Sequence, residues 1–177
     1  MVTAQKMTGR CAFVVVAATV VLVTSSAAGA ADSSLALANR YAPVVRLVEQ
    51  KESCGHGEAY VPTNVDLVLG SPDVAFRGPW DKTNIIKVAP TGSDLARGLF
   101  DYHLDFPGSA VAPGCTYDDW SQRINKGHSP TTYARIVTEP AYPNKLALQY
   151  WFFYVFNDFN DKHEGDWEMV QLDFDAA

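Results

Sequence analysis

The side chains best suited to metal binding or proton transfer are concentrated near the end of the sequence. Four candidate ligands, one imidazole and three carboxylates, lie there within eleven residues: Asp158, His163, Asp166 and Glu168. Ligand sets rich in oxygen favour Ca²⁺ or Mg²⁺ and accept Mn²⁺, and the imidazole is also compatible with Zn²⁺. The same side chains could instead transfer protons without a metal, or form a solvated acidic turn. We predict a divalent-cation site and keep both alternatives open.

The residues after the histidine predict how this cluster is positioned. "DWEMVQLDF" alternates as a half-buried strand does, so Asp166 and Glu168 share one face with the apolar residues Val170, Leu172 and Phe174. Two neighbouring carboxylates at the entrance to a core repel each other and lose hydration, and a cation between them relieves both costs. His163 precedes this strand in a turn, where Gly165 allows a tight bend.

The preceding segment, "LALQYWFFYVF" at 146–156, is apolar except for Gln149. Its aromatic and β-branched residues favour a strand buried on both faces over a helix or a membrane contact. The two segments together predict a β-hairpin with a polar loop of about six to nine residues.

Further elements predict a mainly β, β-sandwich-like domain with one or two short helices. Strands are expected at Ala42–Val48, within "NVDLVLG" at 64–70, and within "PTTYARIVTE" at 130–139. Helices are expected in "GSDLARGLF", capped by Ser93 or Asp94, and in "CTYDDWSQRINKG", capped by Thr116. Because the sequence stops directly after a strand, we expect an incomplete C-terminal part and a longer parent domain.

The first thirty residues predict a secretory signal peptide. Lys6 and Arg10 precede an apolar run from Cys11 to Val23, and small residues lead to a cleavage site near Ala30. The run is shorter than the roughly 20 residues that span a bilayer, so no stable transmembrane segment is expected after cleavage. Residues 31–177 would then form a single secreted or extracytoplasmic domain. The alternative is a membrane anchor formed by an uncleaved N-terminal segment.

Two cysteines remain after such cleavage, Cys54 and Cys115, and in an oxidising compartment they most simply pair. A nucleophile or a metal ligand is the alternative, but neither cysteine lies in a Cys-x-x-Cys pair.

The formal net charge of −6 disfavours nucleic acid as a partner. The other histidines fit solvated loops or surface positions: His56, His103 and His128.

The segment "YWFFYVFNDFNDKHEGDWEMVQLDF" resembles secreted bacterial relatives of the vacuolar protein sorting-associated protein 62 family, which carry His-x-Gly-Asp-Trp-Glu at a strand start. "RYAPVVRL", "VDLVLG" and "YHLDFPG" are similar to the same group. A more distant similarity is to the necrosis- and ethylene-inducing toxins, with Gly-His-Arg-His-Asp-Trp-Glu. That similarity implies cation ligands at His163, Asp166 and Glu168, with Asp158 upstream. Lys162 and Gly165 depart from the toxin motif.

Three classes of function follow for such a site. The first is a cation-dependent binding domain for glycans or lipid headgroups, which the toxin resemblance favours. The second is a metal-dependent hydrolase, in which the ion activates water and a carboxylate acts as base. The third is a structural cell-surface protein whose ion only fixes the hairpin. The sequence contains no nucleophile elbow, no phosphate-binding glycine loop and no His-Glu-x-x-His motif.

Overall fold

The computed structural model describes residues 19–22, 28–48, 54, 60–80 and 84–175. Seven strands lie within these ranges: β1 Thr19–Leu22, β2 Ala75–Arg77, β3 Ile85–Val88, β4 His103–Asp105, β5 Thr131–Glu139, β6 Tyr142–Asn157 and β7 His163–Asp175. The helices are α1 Ala28–Arg40, α2 Gly92–Leu95 and α3 Thr116–Asn125, with a 3₁₀ turn at Val65–Leu67. The predicted mainly β class is confirmed. None of the helices in this part of the chain is long and apolar enough to cross a membrane.

The larger sheet is built around the predicted hairpin. Its order is β1-β5-β6-β7, with β1 parallel to β5 and the other neighbours antiparallel. β6 and β7 pair from Asn157 opposite His163 to Lys145 opposite Asp175. The turn between them covers residues 158–162 and is therefore shorter than the sequence predicted. The smaller sheet is antiparallel in the order β3-β2-β4, and Arg77 forms an ion pair with Asp105 across it at 2.6 Å.

β6 contributes to both parts of the hydrophobic core, as its unbroken apolar sequence predicts. On one side Leu148, Tyr150 and Phe152 pack with Ala38 of α1 and Ala134 of β5, which we call the α1 cluster. The Tyr150 hydroxyl donates to the Ala38 carbonyl at 2.7 Å. The α3 cluster lies on the other side, where buried residues of β6 meet the loops, β4 and α3: Tyr60, Val68, Val74, Phe106, Tyr117, Trp120, Phe153, Val155 and Phe156.

Two of the predicted strands are wrong. Ala42–Val48 is not a strand in the structure, although Val45 packs against the α1 cluster. In "NVDLVLG" the Asn64 side chain accepts a hydrogen bond from the backbone N–H of Asp66 at 2.9 Å and so caps a 3₁₀ turn. This local capping explains why an alternating apolar pattern forms a turn here.

Both predicted helices are confirmed, with corrected N-caps. α2 is capped by Thr91 in place of Ser93 or Asp94, because the Asp94 carboxylate accepts the Thr91 backbone N–H at 2.7 Å. α3 is capped by Cys115, and Thr116 is its first helical residue.

The predicted disulfide is present, since Cys54 is bonded to Cys115. His56 lies outside the described residues. β1 and the first residues of α1 fall inside the predicted signal peptide, and its removal near Ala30 stays a prediction.

Candidate binding site at the hairpin

A cavity of about 540 Å³ lies where the β6–β7 hairpin turns. Three of the four predicted ligands line it: Asp158 from the turn, and Asp166 and Glu168 from β7. Arg46 contributes a positive charge to the same wall, and aromatic rings of β6 and the turn form much of the remainder. The structure therefore brings the three carboxylates to one concave surface.

β7 presents Asp166 and Glu168 to the cavity, as the alternation predicts. Asp166 lies opposite Tyr154 and Glu168 lies opposite Phe152 across the antiparallel pair. Asp166 is half-buried and Glu168 is exposed. Further along that face Val170 is exposed, and Leu172 and Phe174 pack against the α1 cluster. The carboxylates therefore stand at the rim of an apolar surface.

The Asp158 side chain is largely enclosed, since only 8% of it is exposed. Its Oδ1 lies 2.6 Å from Nζ of Lys162, four residues later in the turn. This buried oxygen has no hydrogen-bond partner among the described residues. The contact with Lys162 is an ion pair, and opposite charges at this distance attract each other strongly. Lys162 is thus an internal counter-ion for a buried carboxylate.

His163 is separated from the three carboxylates. It is the first residue of β7, opposite Asn157, and its Nε2 lies 3.3 Å from the Asn157 side-chain amide. His163 is not among the described residues that line the cavity. Across the described ranges, no three side chains of the metal-binding types lie close enough together to hold an ion as they stand.

Glu164 is a structurally important residue that sequence reasoning did not single out. Its Oε2 accepts the backbone N–H of Phe106 at 2.9 Å, and its Oε1 accepts the hydroxyl of Tyr117. The Tyr117 ring stacks on Phe156 with centroids 4.0 Å apart. Burial, and then the hydrogen bond to Glu164, raise the pKa of the Tyr117 hydroxyl. Glu164 therefore joins β7 to β4 and α3 inside the α3 cluster.

Gly165 explains why Glu164 and Asp166 point to different surroundings. Its φ of +70° is a left-handed conformation that side chains disfavour. A Cβ at this position would lie 3.5 Å from the ring of Phe153. The bend interrupts the regular alternation, so Glu164 reaches the α3 cluster although Asp166, two residues later, lines the hairpin cavity.

The remaining histidines lie elsewhere. His103 is in β4, its ring stacks on Trp80, and its Nδ1 is buried without a hydrogen-bond partner. His128 is exposed after α3, as expected for a surface position.

No family model matches this sequence, and no curated protein or solved structure matches it either. The resemblances drawn from the hairpin motif therefore stay predictions.

Proposed function

We propose that this protein is an extracytoplasmic binding domain that holds a divalent cation in the hairpin cavity. Asp158, Asp166 and Glu168 are the proposed ligands, and the ion connects them to the oxygen atoms of a glycan or a lipid headgroup. One observation carries the proposal: three carboxylates from two parts of the hairpin line the same cavity. Carboxylate oxygens are the ligands that Ca²⁺ and Mg²⁺ prefer.

The ion pair of Lys162 with Asp158 suggests how the ion-free site is stabilised. A buried carboxylate without a cation is costly, and the ammonium group neutralises it at 2.6 Å. A divalent ion carries more charge and can contact several carboxylates at once. We infer that ion binding displaces Lys162 and draws the exposed Glu168 side chain towards Asp158 and Asp166. His163 would join them only by leaving Asn157.

The size of the cavity favours ligand binding over a purely structural ion. Its volume of about 540 Å³ is far larger than one ion needs, and it falls in the range of roughly 300–1,000 Å³ that is typical of small-molecule sites. Tyr154 and Phe159 supply aromatic surface next to the carboxylates. Rings of this kind can pack on the apolar face of a sugar or on the glycerol part of a lipid.

Thermal unfolding with and without ions tests the proposal. The full chain is dialysed against chelator and then melted with no addition or with millimolar Ca²⁺, Mg²⁺, Mn²⁺ or Zn²⁺. An ion present at 100 times its dissociation constant should add about 2.7 kcal/mol to the free energy of unfolding. If none of the four ions raises the melting temperature, the hairpin is a polar turn and the proposal is wrong.

A further inference from the structure

Trp80 is an exposed indole that is nevertheless held in place. Its side chain is 74% exposed. The indole N–H donates to Oδ1 of Asp101, and the Trp80 backbone N–H donates to the Asp101 carbonyl at 2.9 Å. The indole also stacks on the imidazole of His103, with centroids 5.8 Å apart and planes at 22°. Three contacts thus orient a ring that remains largely in water.

The backbone around this ring adopts conformations that are unfavourable for residues with side chains. Trp80 has a φ of 41° and Asp101 a φ of 66°, both in the left-handed region. The smaller sheet supports them, because Trp80 follows β2, Asp101 precedes β4, and these strands pair with Arg77 opposite His103. Unfavourable backbone conformations that persist on a rigid support are concentrated at functional sites. The left-handed backbone of Trp80 and Asp101 therefore favours a binding role for this part of the smaller sheet.

The chemistry left available at Trp80 suits a cation. The indole N–H is already used by Asp101, so the ring offers its π-face and no hydrogen-bond donor. A carboxylate at the ring edge adds negative potential to that face, and indole is the side chain that binds cations best through its face. Among the described residues of the smaller sheet, Asp105 also carries a negative charge, and Arg77 neutralises it at 2.6 Å. The chain as a whole has a formal net charge of −6, which attracts cations.

We propose that Trp80 and Asp101 form a binding site for a quaternary ammonium group. The group would lie on the open face of the indole, with the Asp101 carboxylate supplying opposite charge. Phe100 is 87% exposed and directly precedes Asp101, so this segment presents a second aromatic ring to solvent. This site is independent of the hairpin cavity, whose described wall contains none of these three residues. The ligand could be a soluble choline-like molecule or the headgroup of a choline lipid.

Binding of choline, compared with its uncharged analogue 3,3-dimethylbutan-1-ol, tests the proposal. Proton–nitrogen correlation spectra of the full chain report the four indole N–H groups, assigned by Trp→Phe variants. Choline should shift the Trp80 signal in a saturable way, with a dissociation constant in the millimolar range. The analogue has the same shape without the charge, and it should bind on the order of tenfold more weakly.

Variants define the site while preserving the fold. Asp101→Asn keeps an oxygen acceptor for the indole but removes the charge, so it should weaken choline binding several-fold. Trp80→Ala should abolish the binding, with circular dichroism confirming the fold. Trp167→Phe, at an exposed position of β7, should bind choline like the wild type.

Three results would overturn the proposal: no choline-induced shift, equal binding of choline and its analogue, or unchanged choline binding in Asp101→Asn. A shift with methyl glucoside but none with choline would identify a sugar-binding surface in its place.

Binding to vesicles distinguishes a soluble choline-like ligand from the headgroup of a choline lipid. Sedimentation with phosphatidylcholine but not phosphatidylglycerol vesicles, lost in Trp80→Ala, would identify a lipid headgroup. Choline binding without sedimentation would identify a soluble ligand.

Discussion

Tyr117 donates its phenolic hydrogen bond to Glu164, and this contact joins α3 to the beginning of β7. The second oxygen of the same carboxylate accepts the backbone N–H of Phe106. Both partners lie more than forty residues away along the chain. The position of Asp166, two residues after Glu164, is therefore supported by contacts made inside the α3 cluster.

Removing the Tyr117 hydroxyl should destabilise the protein. Tyr117→Phe leaves a partly buried carboxylate without one of its donors, which should cost about 1–3 kcal/mol of unfolding free energy. Denaturant titration of Tyr117→Phe, Glu164→Gln and the double variant gives their coupling, expected at about 0.5–3 kcal/mol. Tyr142→Phe is the matched control because Tyr142 is 63% exposed, and it should change stability by less than about 0.5 kcal/mol. Strictly additive effects of the first two substitutions would refute the coupling.

Stability should fall as the pH rises above 10. Burial raises the pKa of Tyr117, Tyr133 and Tyr150 above the ordinary value of 10.0. Since the folded state then binds protons that the unfolded state has released, the contribution of these groups is complete below pH 10 and is lost as the pH rises. Denaturant midpoints measured from pH 8 to 12 should show this decline. Tyr117→Phe should make the decline shallower, and an unchanged slope would contradict the assignment.

If the proposed ion site is correct, Asp166→Asn should remove the response to divalent cations, because it neutralises a carboxylate that lines the cavity. The ion-free variant should be no less stable than the wild type, since one of several repelling carboxylates is gone. Asp173→Asn is the control, because Asp173 alternates onto the opposite face of β7, across from Ala147. Melting temperatures with and without the effective ion measure both variants. An equal loss of response in the two would show that the ion binds elsewhere.

Lys162→Met should tighten ion binding if Lys162 competes for Asp158. Removing a positive charge 2.6 Å from a ligand oxygen should lower the dissociation constant on the order of tenfold. The ion-free variant should melt at a lower temperature than the wild type, because the buried Asp158 loses its counter-ion. Lys145→Met removes an exposed partner of Asp175 at the other end of the hairpin. That control should bind the ion normally, and weaker binding by Lys162→Met would exclude competition.

The Cys54–Cys115 bond should contribute substantially to stability. It links residues 61 apart, and closing such a loop in the unfolded chain corresponds to about 4 kcal/mol on the chain-entropy model. The double variant Cys54→Ser/Cys115→Ser should lose that amount in denaturant titration. Wild type treated with reductant should match it. Cys11→Ser should behave like the wild type, and a loss of equal size there would point to a different pairing.

Long regular patterns made β5, β6 and β7 predictable, because period-two alternation and aromatic density persist over many residues. The same regularity placed Asp166 and Glu168 on one face of β7. Strands β2, β3 and β4 have only three or four residues each, which is too few for a pattern to be distinguished from a turn. They depend on pairing with one another, which a single segment cannot reveal.

The site was only partly predictable for a related reason. Alternation alone places Glu164 beside Asp166, but the left-handed Gly165 redirects it. Its partners, Phe106 and Tyr117, are brought to it by tertiary packing. The spacing of His163 suggested a ligand, and its contact with Asn157 depends on the register of the hairpin. Local spacing carries no information about such long-range contacts.

β6 is shared by the α1 cluster and the α3 cluster, which has a consequence for how the domain opens. Neither cluster can separate from β6 without exposing buried residues of the same strand, such as Phe152 on one side and Phe153 on the other. The two clusters should therefore unfold in a single cooperative step. The amides in the middle of β6 should exchange with solvent hydrogen only through that global transition, whereas the turn at 158–162 can open on its own. The rearrangement proposed for ion binding would thus take place at the end of a strand whose middle is packed into both clusters.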